Sequence, residues 1–257
     1  MKKKYMKLTA LSVLAALCLM LAACGTADAE PAGPPEESPE TSEAPAPGVS
    51  PEPSEEPAEE PAGETEPLDM SSVLFIGDSR TVGLYEYAGL PSDFFADAGM
   101  SVYNIFENYS NVGDRGFTQL RPLLEDKDYS VIFLMLGLNE IGFPFDEVME
   151  KFGELVDYLR DAEPDSKLVI MANLHVTTDY SDGHPYINNP NINDLNGRMA
   201  EYADGEDIFY LDVSGVYDDE TGGLDPELTS DGVHFYAKHY QEWGEWISRE
   251  AAALINQ

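Results

Sequence analysis

The apolar positions along the chain fall into three regimes, and each sets a different structural expectation. Residues 1–24 hold one unbroken apolar stretch, Leu8 to Leu21, behind a lysine-rich start. That stretch is shorter than the roughly 20 residues a membrane span requires. From residue 25 to about 69 apolar side chains thin out into "EPAGPPEESPETSEAPAPGVSPEPSEEPAEEPAGETEP", without one aromatic residue. Such a segment cannot bury enough surface to offset its ordering entropy and is expected to stay extended and solvated. From Met70 onward apolar runs alternate with amphipathic stretches. Runs at 72–77 ("SVLFIG"), 101–105 ("SVYNI"), 130–136 ("SVIFLML"), 167–173 ("KLVIMAN") and 207–213 ("DIFYLDV") predict strands. Helical patterns are predicted at 80–87, 118–124, 145–161, 192–204 and 236–255. Near-continuous apolar strands separated by helices imply a mostly parallel five-stranded sheet covered on both faces, hence an α/β fold with a three-layer α/β/α sandwich. In such sheets ligands bind at the carboxyl ends of the strands.

Composition changes the picture at the amino end. A basic start, an apolar middle and a small-residue exit have the anatomy of a secretory signal. Its last residues, Leu21-Ala22-Ala23-Cys24, resemble a bacterial lipobox, in which the cysteine becomes the lipidated first residue. The chain thus divides into a lipoprotein signal peptide (1–24), an acidic Pro/Glu-rich linker (25–69) and a catalytic domain (70–257). At about 3.1 Å per residue, the linker could reach on the order of 100 Å from the membrane that Cys24 would anchor it to. Only Cys18 and Cys24 are present, so the exported domain is expected to hold together without a disulfide. No Cys/His cluster with zinc-like spacing appears, and no cofactor is called for. Fourteen Lys and Arg stand against 49 Asp and Glu, a net charge of -35. A chain so acidic repels nucleic acid.

The candidate chemistry falls after the strands. "FIGDSRTVG" puts Ser79 where the first strand gives way to a helix, with the amides of the helix N-terminus nearby. Asp78 or Ser79 would equally well cap that helix, and the local sequence does not choose between cap and nucleophile. "LMLGLNEIG" places Asn139 just beyond the third strand, where its amide could reach a developing oxyanion; a turn Asn beside Gly137 is the plain alternative. "ADAGMS" offers Gly99, whose backbone N–H can approach a ligand without a Cβ in the way. "TSDGVHFYAKHY" holds Asp231 and His234 three residues apart, the base and base-orienting pair that a nucleophilic serine needs.

Taken together, "GDS", the glycine of "AGMS", "GLNE" and "DGVH" resemble, in order and placement, the blocks of the SGNH hydrolases, also called GDSL esterases. The resemblance covers about residues 71–255. It implies an SGNH/flavodoxin-like fold with Ser79 as nucleophile, His234 as general base, Asp231 as orienting acid, and the Ser79 amide, Gly99 and Asn139 as oxyanion-hole donors. Two positions depart from the common pattern: Arg80 follows the serine where many members carry an apolar residue, and Glu140 replaces the commoner Asp. Gly113 of "NVGDRG" competes with Gly99 for the glycine role.

Residues 175–191 form an expected long loop at the same rim, with His175, Tyr180, Tyr186 and several Asn suited to sugar rings. With Arg80, these three are the candidate substrate contacts. His184 and His239 are expected to be surface or packing residues, and Tyr240, Trp243 and Trp246 to be core contacts of the last helix. The expected function is an extracytoplasmic serine esterase that removes acyl groups, O-acetyl above all, from carbohydrate or peptidoglycan. The alternatives are a lysophospholipase- or thioesterase-like hydrolase, an O-acyltransferase, or a glycan-binding surface protein without turnover.

Overall fold

The computed structural model describes residues 67–257. The expected signal, the lipidation site Cys24 and nearly all of the linker lie outside the described residues.

Five strands form one sheet: β1 (Val73–Gly77), β2 (Asp93–Ala96), β5 (Val131–Met135), β6 (Lys167–Met171) and β7 (Ile208–Leu211), in the order β2-β1-β5-β6-β7. Every neighbouring pair in it is parallel. A short antiparallel hairpin, β3 (Ser110–Asn111) with β4 (Phe117–Thr118), stands apart from it in pairing. The helices are α1 (Ser79–Tyr87), α2 (Leu120–Asp126), α3 (Phe145–Ala162), α4 (Thr178–Gly183), α5 (Asn189–Ala200) and α6 (Tyr240–Ile255). Among the described residues no helix is long and apolar enough to cross a membrane.

The period-two alternation of the strands builds the three layers. Along β1, Leu74 and Ile76 join the core beneath α2, α3 and α5, while Val73 and Phe75 join the core beneath α1 and α6. Phe75 stacks on Phe94 of β2 at 4.9 Å and on Phe133 of β5 at 4.7 Å, its in-register neighbours on either side. Burying each such side chain contributes about 1.5–3 kcal/mol. These central strands are therefore fully covered on both faces, as their unbroken apolar runs require.

One expected strand is misplaced. Residues 101–105 are a series of tight turns, with Asn104 N–H donating to Ser101 O at 3.1 Å and Asn108 N–H to Asn104 O at 2.9 Å. The strand is "DFFA", 93–96. Met100, Val102 and Ile105 are apolar because this loop folds back over the α3 face and buries them there, not because it pairs with the sheet. The expected loop 175–191 also contains a helix, α4, and the start of α5.

The chain leaves β1 for β2 on one side, then returns to place β5 on the other. The strand order thus reverses at β1, so a crevice opens between the carboxyl ends of β1 and β5. Ser79 and Asn139 follow those two ends.

Candidate active site

The first question is what Ser79 does at the start of α1. Asp78, not Ser79, is the N-cap: its Oδ1 accepts the Arg80 N–H at 3.0 Å. With the cap supplied by its neighbour, Ser79 is left half-buried with its Oγ 2.8 Å from His234 Nε2. Gly77 makes the turn possible, since a Cβ there would lie 2.0 Å from Thr81 Oγ1 and 2.7 Å from Met135 O. No larger residue lets α1 start this close to the sheet.

His234 is set by a compact turn. Asp231 Oδ2 accepts from His234 Nδ1 at 2.8 Å, and Oδ1 accepts the N–H groups of Val233 at 2.9 Å and His234 at 2.8 Å. Thr229 donates its hydroxyl to the same Oδ1 at 3.2 Å and accepts the Gly232 N–H at 3.0 Å. Burial pulls the Asp231 carboxyl upward, but the His234 backbone and side-chain bonds and the Val233 amide outweigh it and hold the carboxyl well below the usual range. Asp231 is then a fixed anion that keeps the proton on Nδ1, so Nε2 presents its lone pair to the Ser79 hydroxyl. Gly232, at φ 81, docks the turn on the exit of β6: a Cβ would meet Thr177 Oγ1 at 2.8 Å and Tyr180 Cβ at 2.9 Å, and its carbonyl accepts the Thr177 N–H at 2.9 Å.

Across the crevice, β5 ends in a turn through Gly137, at φ 117, into a 3-10 helix, Leu138–Glu140. Asn139 is exposed, and its Nδ2 donates one hydrogen to Met100 O at 2.9 Å. The amide has a second hydrogen to offer. Glu140 points the opposite way and is fully buried, its Oε1 accepting the Val102 N–H at 2.7 Å. Consecutive residues thus fasten the 97–108 loop from two sides. Burial pushes the Glu140 carboxyl up to about 7, with the charge of Asp78 adding to the effect; burial likewise raises Asp78. One oxygen of each, Glu140 Oε2 and Asp78 Oδ2, is buried without a hydrogen-bond partner.

Gly99 lies in that loop at φ 78, in the turn closed by Met100 N–H to Asp97 O at 3.0 Å. Gly113 does not compete with it. It sits on the β3–β4 hairpin beside Asp93, the first residue of β2 and so the end of that strand away from the crevice.

Two expected substrate contacts are corrected. Arg80 is 1% exposed and faces inward, donating from Nη1 to Leu174 O at 2.7 Å, from Nη2 to His175 O at 3.4 Å and from Nε to Val233 O at 3.2 Å. It ties the serine's helix to the exit of β6 and to the residue before His234, and burial lowers its guanidinium from the ordinary value. His175 is also buried, with Nδ1 2.6 Å from Asp218 Oδ2 and Nε2 2.7 Å from Asn193 Oδ1. With both nitrogens engaged it braces the loop after β7 against α5 and has no free atom for a ligand. Tyr180 is half-buried and stacked on His184 at 3.7 Å, whereas Tyr186 is 60% exposed. Asp78 takes the capping role that the sequence offered to it or to Ser79; the roles of Thr229 and Val102 were not singled out from sequence, because each depends on a bond to a backbone group or to a distant loop that residue type alone does not announce.

The hydroxyl–imidazole–carboxylate relay at the carboxyl end of a parallel sheet invites comparison with known proteins. Residues 75–242 match the GDSL-like lipase/acylhydrolase family. The fold is similar to that of a candidate platelet activating factor from Streptococcus pneumoniae, at 23% identity over 71% of this chain and 83% of that one, with a TM-score of 0.54. It is similar also to a GDSL-like lipase from Bacteroides thetaiotaomicron, at 16% identity over 73% and 90%, and to a candidate acylhydrolase from Bacteroides fragilis, at 17% over 74% and 91%, each with a TM-score of 0.54. Curated proteins give no match. The family match spans most of the chain, from within β1 to the first turn of α6, and so takes in both halves of the crevice. This chain belongs to the GDSL-like lipase/acylhydrolase family and is a hydrolase of ester bonds.

Proposed function

We propose that the protein is an extracytoplasmic serine esterase, anchored by lipid at Cys24, that removes O-acetyl groups from carbohydrate or cell-wall polymers. The observation that carries the catalytic part is the unbroken relay from Ser79 Oγ through His234 to Asp231, both links 2.8 Å. As His234 Nε2 takes the hydroxyl proton, Ser79 Oγ adds to the ester carbonyl, and Asp231 stabilises the imidazolium. The Ser79 and Gly99 amides and the second Asn139 hydrogen stabilise the oxyanion, each donor contributing about 3–4 kcal/mol to lowering the barrier. Collapse expels the alcohol, which leaves with the proton from His234. Water, deprotonated by His234, then releases the acid from the acyl-serine.

The location rests on the signal-like residues 1–24 with Cys24 at their end, and the reach on the acidic linker. The substrate class rests on the polar, aromatic composition of the segment 175–191 at the rim, with Tyr186 exposed in it. Rates on p-nitrophenyl acetate, butyrate and octanoate, measured beside Ser79→Ala, test the reading. Serine-dependent turnover falling with acyl length is the expected result. A preference for octanoate would replace the deacetylase by a lipid or thioester hydrolase, and serine-independent turnover would remove the mechanism.

A further inference from the structure

Three large aromatic side chains stand exposed next to Asn139, and they come from three separate segments. Tyr103 is 40% exposed on the loop after β2, Phe143 is 55% exposed just beyond the β5 turn, and Tyr186 is 60% exposed between α4 and α5. Tyr103 and Phe143 are in contact, with ring centroids 5.3 Å apart at 49°. Tyr186 lies over the backbone of Gly142, where a Cβ would stand 3.6 Å from its ring. Tyr103 and Phe143 thus pack together, and Tyr186 covers the residue that precedes Phe143.

These segments are held in place from beneath. The Asn139–Met100 and Glu140–Val102 hydrogen bonds bring the Tyr103 loop to the β5 turn, and the Phe143 N–H donates to Glu140 O at 3.0 Å. Asn191 Nδ2 donates to Tyr186 O at 2.7 Å. The segment carrying Tyr186 begins at Thr177, which is bonded to Gly232 in the His234 turn, and ends against Gly142. It therefore links the His234 turn to the turn that carries Asn139. Other aromatic side chains are exposed singly, Phe117 among them; these three are set apart because they lie on or against the turns tied to Asn139.

The ligand chemistry follows from what surrounds the rings. The charges of Glu147 and Glu140 act on the Tyr103 hydroxyl against that of Lys151, and the chain as a whole is strongly acidic, so an anionic ligand is disfavoured. Flat apolar faces with hydroxyls at their edges suit the C–H faces of uncharged sugar rings, whose hydroxyls remain solvated at the rim. We propose that Tyr103, Phe143 and Tyr186 are a stacking platform for an uncharged sugar ring of the glycan that carries the ester. This rests on the glycan-esterase reading and names the part of the protein that selects the alcohol side of the substrate.

The test compares the full chain with Phe143→Ala and Tyr186→Ala on two substrates, chemically O-acetylated xylohexaose and p-nitrophenyl acetate. The ratio of kcat/KM on the first to that on the second is expected to fall about tenfold in each variant, through KM. An unchanged ratio overturns the platform, as does a larger loss on p-nitrophenyl octanoate than on the glycan, which would make it an acyl-chain site. Binding of unmodified xylohexaose and N-acetylchitohexaose to Ser79→Ala, followed by calorimetry, separates the platform from the deacetylase reading. Binding that Phe143→Ala abolishes supports the platform even if no acetylated glycan is cleaved; no binding of either sugar overturns it.

Discussion

At the scale of single residues, Asn139 and Glu140 stand side by side beyond β5 and differ in what they do. Asn139 offers one amide hydrogen to Met100, and in the proposed mechanism the other stabilises the oxyanion. Asn139→Ala is therefore expected to lower kcat on p-nitrophenyl acetate by about 10²–10³-fold with little change in KM, the signature of a bond made only in the transition state. Glu140 gives a different handle. Its carboxyl is raised to about 7 by burial, against an unfolded value near 4.5, so between those limits the folded state binds more protons than the unfolded state. Its contribution to stability is thus full below about pH 4.5 and is lost as pH rises through about 7. Glu140→Gln keeps an acceptor for the Val102 amide but cannot ionise. Relative to that variant, the wild type is expected to lose up to about 3 kcal/mol between pH 5 and 8, read from urea unfolding at each pH. A pH-independent difference would show that Glu140 does not titrate there. The members of the Ser79–His234–Asp231 hydrogen-bonded relay were legible in the sequence because Asp231 and His234 are three residues apart and "GDS" marks a strand end. Arg80 was not: its carbonyl partners are 94, 95 and 153 residues away, and a cation beside a nucleophile reads as a substrate contact until burial is known.

At the scale of elements, the continuous apolar runs of β1, β5 and β6 announced themselves because both faces of a central parallel strand are covered, while β7, at the edge, was legible from its own apolar run. β2 did not. Four residues, "DFFA", are too few to show a period, and the neighbouring "SVYNI" borrows its apolar content from a loop that buries Val102 and Ile105. Where two elements meet closely the sequence gives only a glycine. Gly83 of α1 faces Tyr240, the first residue of α6, and a Cβ at 83 would fall 2.2 Å from its ring. Tyr240 is buried among Phe235 and Trp243, so it cannot swing aside without repacking them. Gly83→Ala is expected to cost about 1–3 kcal/mol by overpacking, measured as a drop in the denaturation midpoint. Because the chain runs from His234 through Phe235 into α6, esterase activity should fall with it. A variant of unchanged stability would mean that the α1–α6 contact is looser than described.

At the scale of the whole molecule, the sheet order explains why residues far apart in sequence share one crevice. Strand order reverses at β1, so the segments after β1 and β5 face each other, and the last loop brings His234 back to them, 155 residues from Ser79. The fold class was legible from the alternation of runs and amphipathic stretches, and Tyr186 was legible as a rim residue; Tyr103 and Phe143 were not, because they meet only when the loops after β2 and β5 converge. In the proposed mechanism this convergence makes Ser79, alone among the chain's serines, a nucleophile. A fluorophosphonate probe, intact mass and peptide mapping test it directly. The expected result is a single adduct on Ser79, absent from Ser79→Ala and formed far more slowly by His234→Ala; an adduct elsewhere, or none on the folded wild type, would contradict it.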